Sequence, residues 1–264
     1  MSRAQHLAES EVPEQLMQGH YARKQLGSRS RIIAWSHRRR LRMAARLAAP
    51  YAGQPLLDYG CGDGTFLAQI SPLFADATGA DADAGQIDEC RKRFANLSRV
   101  SFIATRDLAA SNYNRRFGLI CCMEVLEHCV DADVDYLLKD LDRLLAPGGA
   151  IIISVPIEIG PALIGKELLR AIAGRRRIGD YQYRDSYRWG ELMRMACAGA
   201  ATVIARPTHP FGTGAAHSHK GFNWRRLRSP IERRFVIRDV HFSPFDGFAG
   251  WLSSQVWFRC ERLP

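Results

Sequence analysis

Three glycines at every second position, Gly60, Gly62 and Gly64, follow directly on the short apolar run Leu56-Leu57-Asp58-Tyr59. That juxtaposition constrains the chain more than any other feature. Glycine removes the Cβ that would keep a ligand off the backbone, and Thr65-Phe66-Leu67 can open a helix whose first N–H groups have no partner of their own. Such a run also serves as a plain tight turn between strand and helix, so its surroundings decide. A dinucleotide fingerprint needs its third glycine at position 65, where this chain has Thr65. A nicotinamide dinucleotide is therefore disfavoured.

The surroundings alternate between strand and helix signals. Strands are expected at 55–59, 76–80, 100–104, 117–122 and 149–155, with helices from 64, at 84–96 and at 133–145. On the last helix Val134, Leu137, Leu138, Leu141, Leu144 and Leu145 form one apolar face. Strands alternating with helices predict an α/β fold with a doubly wound, mostly parallel sheet whose ligands sit at the carboxyl ends of the strands. Before it, Ser30 to Ala49 reads as a basic helix, so residues 1–50 form an N-terminal helical extension to a catalytic domain over 51–264. Residues 1–28 read as a loose arm. After 156, helices are expected near 161–173 and 186–198, separated by Arg175-Arg176-Arg177 and the aromatic Tyr181-Gln182-Tyr183. Two closing strands are expected at 201–205 and 255–259, the last antiparallel. Between them, 206–254 holds His209, His217, His219, Phe222, Trp224, Phe245 and Trp251. An excursion so long and so aromatic predicts a folded substrate cap.

With Asp58 included, the loop reads Asp-x-Gly-x-Gly-x-Gly, and the chain resembles the class I S-adenosylmethionine-dependent methyltransferases. The likeness continues through Ala77-Thr78-Gly79-Ala80-Asp81, through Leu119-Ile120-Cys121-Cys122-Met123-Glu124-Val125-Leu126-Glu127-His128, and through Arg143 to Pro156 with its Pro147-Gly148-Gly149 turn. It spans about residues 55–156 and is closest to the branch acting on quinone precursors, sugars and other small metabolites. It implies a Rossmann-like sheet and a cofactor core over those residues. It also implies S-adenosyl-L-methionine bound by Asp58, Gly60, Gly62, Gly64, Asp81 on the ribose hydroxyls, Asp107 on the adenine amino group, and Met123. Asp107 lies one place later than the family pattern. A second departure is Phe117-Gly118-Leu119, where the family usually has an acid opening the fourth strand.

Composition narrows the setting. The 264 residues are 47% hydrophobic and 24% charged, ordinary for one globular α/β domain. No apolar run approaches a membrane span and Met1 to His6 lacks a signal-peptide pattern, so the expected location is cytoplasmic. Seven cysteines without a Cys-x-x-Cys pair fit reduced core thiols. The net charge of +10 lies outside the cofactor core, in 1–50 and 151–264. Basic flanks draw anionic partners, or are simply solvated arginines.

Methyl transfer to an unactivated hydroxyl needs a base near neutrality, which neutral histidine supplies. His128, after the fourth strand, and His219, in the cap, are the candidates. A backbone-bonded structural histidine is the alternative for His128. The pair His217 and His219, two apart, would point the same way on an extended segment. No metal site is expected: Glu124, Glu127 and His128 resemble a loop that binds a divalent ion in some ubiquinone-pathway relatives, but acids beginning a helix explain them better. The expected activity is O-methylation of a small or lipid-linked anionic metabolite, a sugar or a quinone precursor, with peripheral membrane contact conceivable. The alternatives are an RNA methyltransferase and a non-catalytic scaffold. Nucleic acid is disfavoured because Cys122-Met123-Glu124-Val125 stands where Asn/Asp-Pro-Pro-Tyr would grip a flipped base.

Overall fold

The computed structural model describes residue 16 and residues 18–175, 185–211, 214–246 and 250–264. Arg176, Arg177, Tyr181, Gln182, Tyr183 and most of the arm at 1–28 lie outside the described residues.

Four fully buried residues, β1 (Leu56–Tyr59), set the centre of a seven-stranded sheet. β1 lies between β2 (Ala77–Asp81) and β4 (Phe117–Met123), parallel to both. β3 (Val100–Ala104) continues one side, and β5 (Leu145–Pro156) the other. Beyond β5 come β9 (Gln255–Arg262) and then β8 (Phe235–Ser243), giving the order β3-β2-β1-β4-β5-β9-β8. β9 runs antiparallel to both of its neighbours. The sheet is the expected Rossmann-like one, mostly parallel with an antiparallel closing strand.

Because successive side chains point to opposite faces, each central strand feeds two cores. Leu57, Ile120, Ile151 and Ile153 pack with Leu137, Leu138, Leu141 and Leu144 of α4 (Asp131–Leu144). Leu56, Leu119, Cys121 and Ile152 face Leu41, Ala44, Ala45 and Leu47 of α1 (Arg31–Ala48), with Phe66 of α2 (Thr65–Ile70) and Ile87 of α3 (Ala84–Arg93). The strand order reverses between β1 and β4, so their loops diverge at the carboxyl edge and leave the crevice where ligands bind in such sheets. No described helix is long and apolar enough to cross a membrane.

Gly118 explains the missing acid at the start of β4. The β4–β5 register shifts between Phe117 and Leu119, and a Cβ at Gly118 would meet the Gln54 side chain, 1.8 Å from its Oε1 and 2.7 Å from its Cβ.

After β5 the chain forms α5 (Ala162–Arg175) and α6 (Trp189–Ala196), close to expectation. The closing strands depart from it. Residues 201–205 form no strand, Ala201 lying in a turn, and only Ile204 among them is buried. The strand that partners β9 is β8, inside the 206–254 stretch expected to form the cap. Its charges hid it: Arg238 and Asp239 suit an edge strand only because β9 answers them, with Arg238 Nε 2.8 Å from Glu261 and Arg259 Nε 2.6 Å from Asp239. The segment over the sheet's carboxyl edge is thus shorter. It contains a hairpin of β6 (Thr208–Phe211) and β7 (Gly214–His217), the turn through Gly221, and α7 (Arg228–Glu232).

Leu138 is fully buried on α4, whereas Leu169 on α5 is 52% exposed. Chemical denaturation should therefore show a loss of about 2–5 kcal/mol for Leu138→Ala. Leu169→Ala should stay within about 0.5 kcal/mol of the parent.

Candidate cofactor and acceptor site

The glycine loop takes its shape from close approach. Gly60 has φ +79°, and a Cβ there would lie 2.3 Å from Val125 Cγ2. At Gly64, φ +70°, it would lie 2.8 Å from the Phe102 ring. Only glycine adopts these angles without strain. Gly62, φ +52°, differs: a Cβ there would meet nothing nearer than Gln86 Oε1 at 3.8 Å, so its positive φ and not crowding favours glycine. Two amides, Gly60 N–H and Cys61 N–H, donate to Ala80 C=O and fasten the loop to β2.

Asp81, at the end of β2, accepts from Gly62 N–H through Oδ2 and from Asp83 N–H through Oδ1, both at 2.9 Å. Beside it, Ala82, Ala84, Ala104, Thr105 and Arg106 line a cavity of about 160 Å³. These residues suit a ribose with its base: two acceptor oxygens for a diol, then a slot walled by alanines. Asp107 is not among the cavity's lining residues; its side chain is 54% exposed, 3.8 Å from Arg106 Nε. Met123 ends β4, half-buried against the same core as Phe66 and Ile87. Asp58 is buried beneath the loop, and burial, with Asp81 and Asp63 nearby, pushes its carboxyl up to about 8.

Residues the sequence reading passed over close the other end of the loop. Asp63 accepts from Thr65 N–H and from Ala22 N–H, drawing the N-terminal segment onto the loop. From α1, Arg40 reaches in to Glu124 (2.8 Å), to Tyr21 Oη (2.7 Å) and to His37 Nδ1 (3.1 Å). In sequence it is one of six arginines on a basic helix. The signal that could have singled it out is the helical period, which places it three and four residues before the buried Met43 and Ala44.

Beyond β4 the chain turns sharply, with Glu124 at φ +58°. Glu124, Glu127 and His128 therefore stand on a turn ahead of α4, not on its first helical turn. Glu127 is fully buried, and neither carboxylate oxygen has a hydrogen-bond partner; Glu124 Oε1 shares that condition. Burial raises both carboxyls above the usual range, Glu127 the more strongly. His128 Nδ1 lies 2.9 Å from His217 C=O, which can only accept, so Nδ1 carries a proton and, in the neutral ring, Nε2 is the nitrogen with the lone pair. His217 N–H in turn donates to His128 C=O at 2.9 Å.

His219 stands edge-on to His128, ring centroids 4.9 Å apart. Burial pulls its pKa down to about 3, against Glu158, which raises it. His217 does not point with His219: β7 ends at His217, whose ring approaches Pro207 C=O. Glu127, His128 and His219 offer ligand atoms within 4.8 Å of one another, so His219 does have two potential co-ligands, which its own neighbourhood in sequence lacks. Arg206 donates to Glu127 C=O and to Ser218 C=O, tying this cap to the β4 turn.

Glu158, just past β5, completes the rim. It is fully buried and clamped by Lys166 at 2.7 Å and by both terminal nitrogens of Arg170 at 2.6 and 2.8 Å. Although burial alone would raise its carboxyl, these two cations hold it well below the usual range.

A glycine-lined loop, an acid at the end of β2 and a rim carrying a buried histidine meet at the carboxyl edge of a doubly wound sheet. Comparison with known proteins agrees. The sequence pattern of the methyltransferase-domain family matches residues 7–195, and the chain belongs to that family as a class I S-adenosylmethionine-dependent methyltransferase. Two similar proteins are ubiquinone biosynthesis O-methyltransferases. That of Chelativorans sp. strain BNC1 is 32% identical over 200 residues, covering 74% of each chain. That of Mesorhizobium japonicum is 28% identical over 199 residues, covering 74% of this chain and 76% of the other. Among solved structures, the N-methyltransferase NodS from Bradyrhizobium japonicum WM9 with S-adenosyl-L-homocysteine matches at TM-score 0.53 and 15% identity, over 99% and 97% of the two chains. An S-adenosylmethionine-dependent methyltransferase from Clostridium acetobutylicum matches at 0.56 and 13%, over 86% and 91%. At those identities the likeness is one of fold.

Asp58 gives the site a pH signature. With its carboxyl moved from 3.8 to about 8, the folded protein keeps a proton that the unfolded chain releases. Stability should therefore fall as pH rises from about 4 to about 8 and level off above that. Asp58→Asn should flatten this slope in thermal unfolding followed across pH.

Proposed function

We propose that this enzyme methylates a hydroxyl oxygen of a small or lipid-linked acceptor, a phenolic quinone precursor before a sugar, with His128 as the base. The observation that carries the reading is the tautomer of His128, whose Nε2 is left free at the mouth of the site by the bond from Nδ1 to His217 C=O. The names of the relatives support the choice of acceptor.

The residues suit S-adenosyl-L-methionine: Gly60 and Gly64 shape the loop at positive φ, Asp81 offers its carboxylate beside the alanine-walled cavity, and the Arg40–Glu124 pair closes the other end. When bound, that cofactor supplies an electrophilic methyl group on a sulfonium. The chain's own work is to hold the acceptor oxygen in line and keep water out. His128 Nε2 takes the hydroxyl proton as the new bond forms, with the Glu127 carboxyl 3.9 Å from that nitrogen. His219, kept neutral by burial, packs against the His128 ring and fixes its plane. Asp107, exposed beside Arg106, contributes less to the adenine end than Ala104 and Thr105.

A second reading rests on the unpartnered oxygens of Glu127: Glu127, His128 and His219 would hold a divalent cation that lowers the acidity threshold of the hydroxyl. Activity that collapses with chelator and returns with added cation would favour it over the histidine base.

Calorimetry should show Asp81→Ala weakening S-adenosylhomocysteine binding by about 1.5–3 kcal/mol, the loss of charge-assisted hydrogen bonds. Transfer of labelled methyl groups should proceed to a prenylated phenol and not to structured RNA. His128→Ala should lower that rate about 10²- to 10⁴-fold with cofactor affinity nearly unchanged. Full activity in His128→Ala would remove the base from this account.

A further inference from the structure

His219 is held by more than the hairpin that carries it. On the hairpin side, main-chain bonds between His217 and His128 and the grip of Arg206 on Ser218 C=O fix its neighbours to the turn after β4. Past His219 the chain turns back on itself, with Phe222 N–H donating to His219 C=O at 3.1 Å and Gly221 at φ +77°. This turn is tightly wedged: a Cβ at Gly221 would lie 2.8 Å from Ile204 Cγ1 and 3.1 Å from Arg206 Cγ. The segment leading into α6 meets it from the other side. Gly221 N–H donates to Tyr187 Oη at 2.8 Å. Lys220 Nζ lies 2.8 Å from Glu191 Oε2 and 5.7 Å from the centre of the Tyr187 ring.

That segment is itself fastened to the core. The same Glu191 oxygen accepts from Arg188 N–H at 2.8 Å, closing the first turn of α6. Leu192 and Met195 of α6 are buried in the core, and Gly160 N–H donates to Met195 C=O at 2.9 Å, which ties the helix to the chain leaving β5. His219 is therefore reached from two strand ends, from β4 through His217 and from β5 through α6 and Tyr187. The Tyr187 hydroxyl is the joint in the second path. Phenylalanine in its place would keep the ring beside Lys220 and lose only the bond to Gly221, whose buried amide would then have to find another acceptor.

We propose that Tyr187 is a positioning residue: by holding the 219–222 turn it keeps the His219 ring against His128, 4.9 Å between centroids, and so fixes the direction in which His128 Nε2 meets the acceptor. The effect on rate rests on the reading of His128 as the base; the hold on His219 does not, and is measured with neither cofactor nor acceptor present. Two measurements on the full chain test it. In the first, proton–carbon magnetic resonance follows the His128 ring, assigned with His128→Ala, since its shifts carry the ring current of His219. Tyr187→Phe should move these resonances in the direction in which His219→Ala moves them, with circular dichroism and S-adenosylhomocysteine affinity unchanged. In the second, Tyr187→Phe should slow methyl transfer to a prenylated phenol roughly 10- to 100-fold through kcat, with KM for S-adenosylmethionine unchanged. Tyr187→Phe combined with His219→Ala should then be no slower than His219→Ala alone, because one residue acts through the other. A residue that merely stabilised the fold would add its own loss. The proposal is overturned if the His128 resonances stay in place in Tyr187→Phe, or if the two losses multiply in the double variant. Displaced resonances together with full activity in His128→Ala would count against the histidine base and leave the hold of Tyr187 on His219 standing.

Discussion

Buried ion pairs along the carboxyl edge of the sheet hold the working parts of this enzyme together. Arg40 on α1 meets Glu124 after β4, and Lys166 and Arg170 on α5 clamp Glu158 after β5. Each pair joins an element outside the central sheet to the end of a strand inside it. Desolvating such charges is expensive, and apolar residues in the same places could be as stable. What the pairs add is position: α1 and α5 can dock in one register only, and the crevice between β1 and β4 takes its walls from that docking.

The same edge shows how burial assigns different states to similar groups. Glu158, with two cations in contact, stays ionised; Glu127, with neither oxygen bonded, is driven toward its neutral form. Asp58 lies beneath the loop without a cation and near two other carboxyls, and keeps its proton to about 8. The histidines divide in the same way, since His219 is held neutral by burial while His128, 41% exposed, stands at the water boundary where a proton can be handed on.

The cofactor half of the site was legible in the sequence because its constraints are local. Gly60 and Gly64 require positive φ, Asp81 ends a strand of five residues, and each sits a fixed distance along one strand-turn-helix unit. The acceptor half was not. His219 reaches His128 only because the hairpin folds across the sheet edge, and Arg40 matters because of what lies opposite it in space. β8 failed for a related reason: its charges oppose strand propensity until Glu261 and Arg259 of β9 are placed beside them. A pattern of residues records the needs of its own segment far better than those of a partner many residues away.

The contacts between the cap hairpin and the turn after β4 end on main-chain atoms. His217 N–H meets His128 C=O, His217 C=O receives His128 Nδ1–H, and Arg206 grips carbonyls of Glu127 and Ser218. Arg206 apart, these contacts do not depend on which side chains the hairpin residues carry, so the hairpin can exchange side chains while its seat on the turn after β4 stays the same.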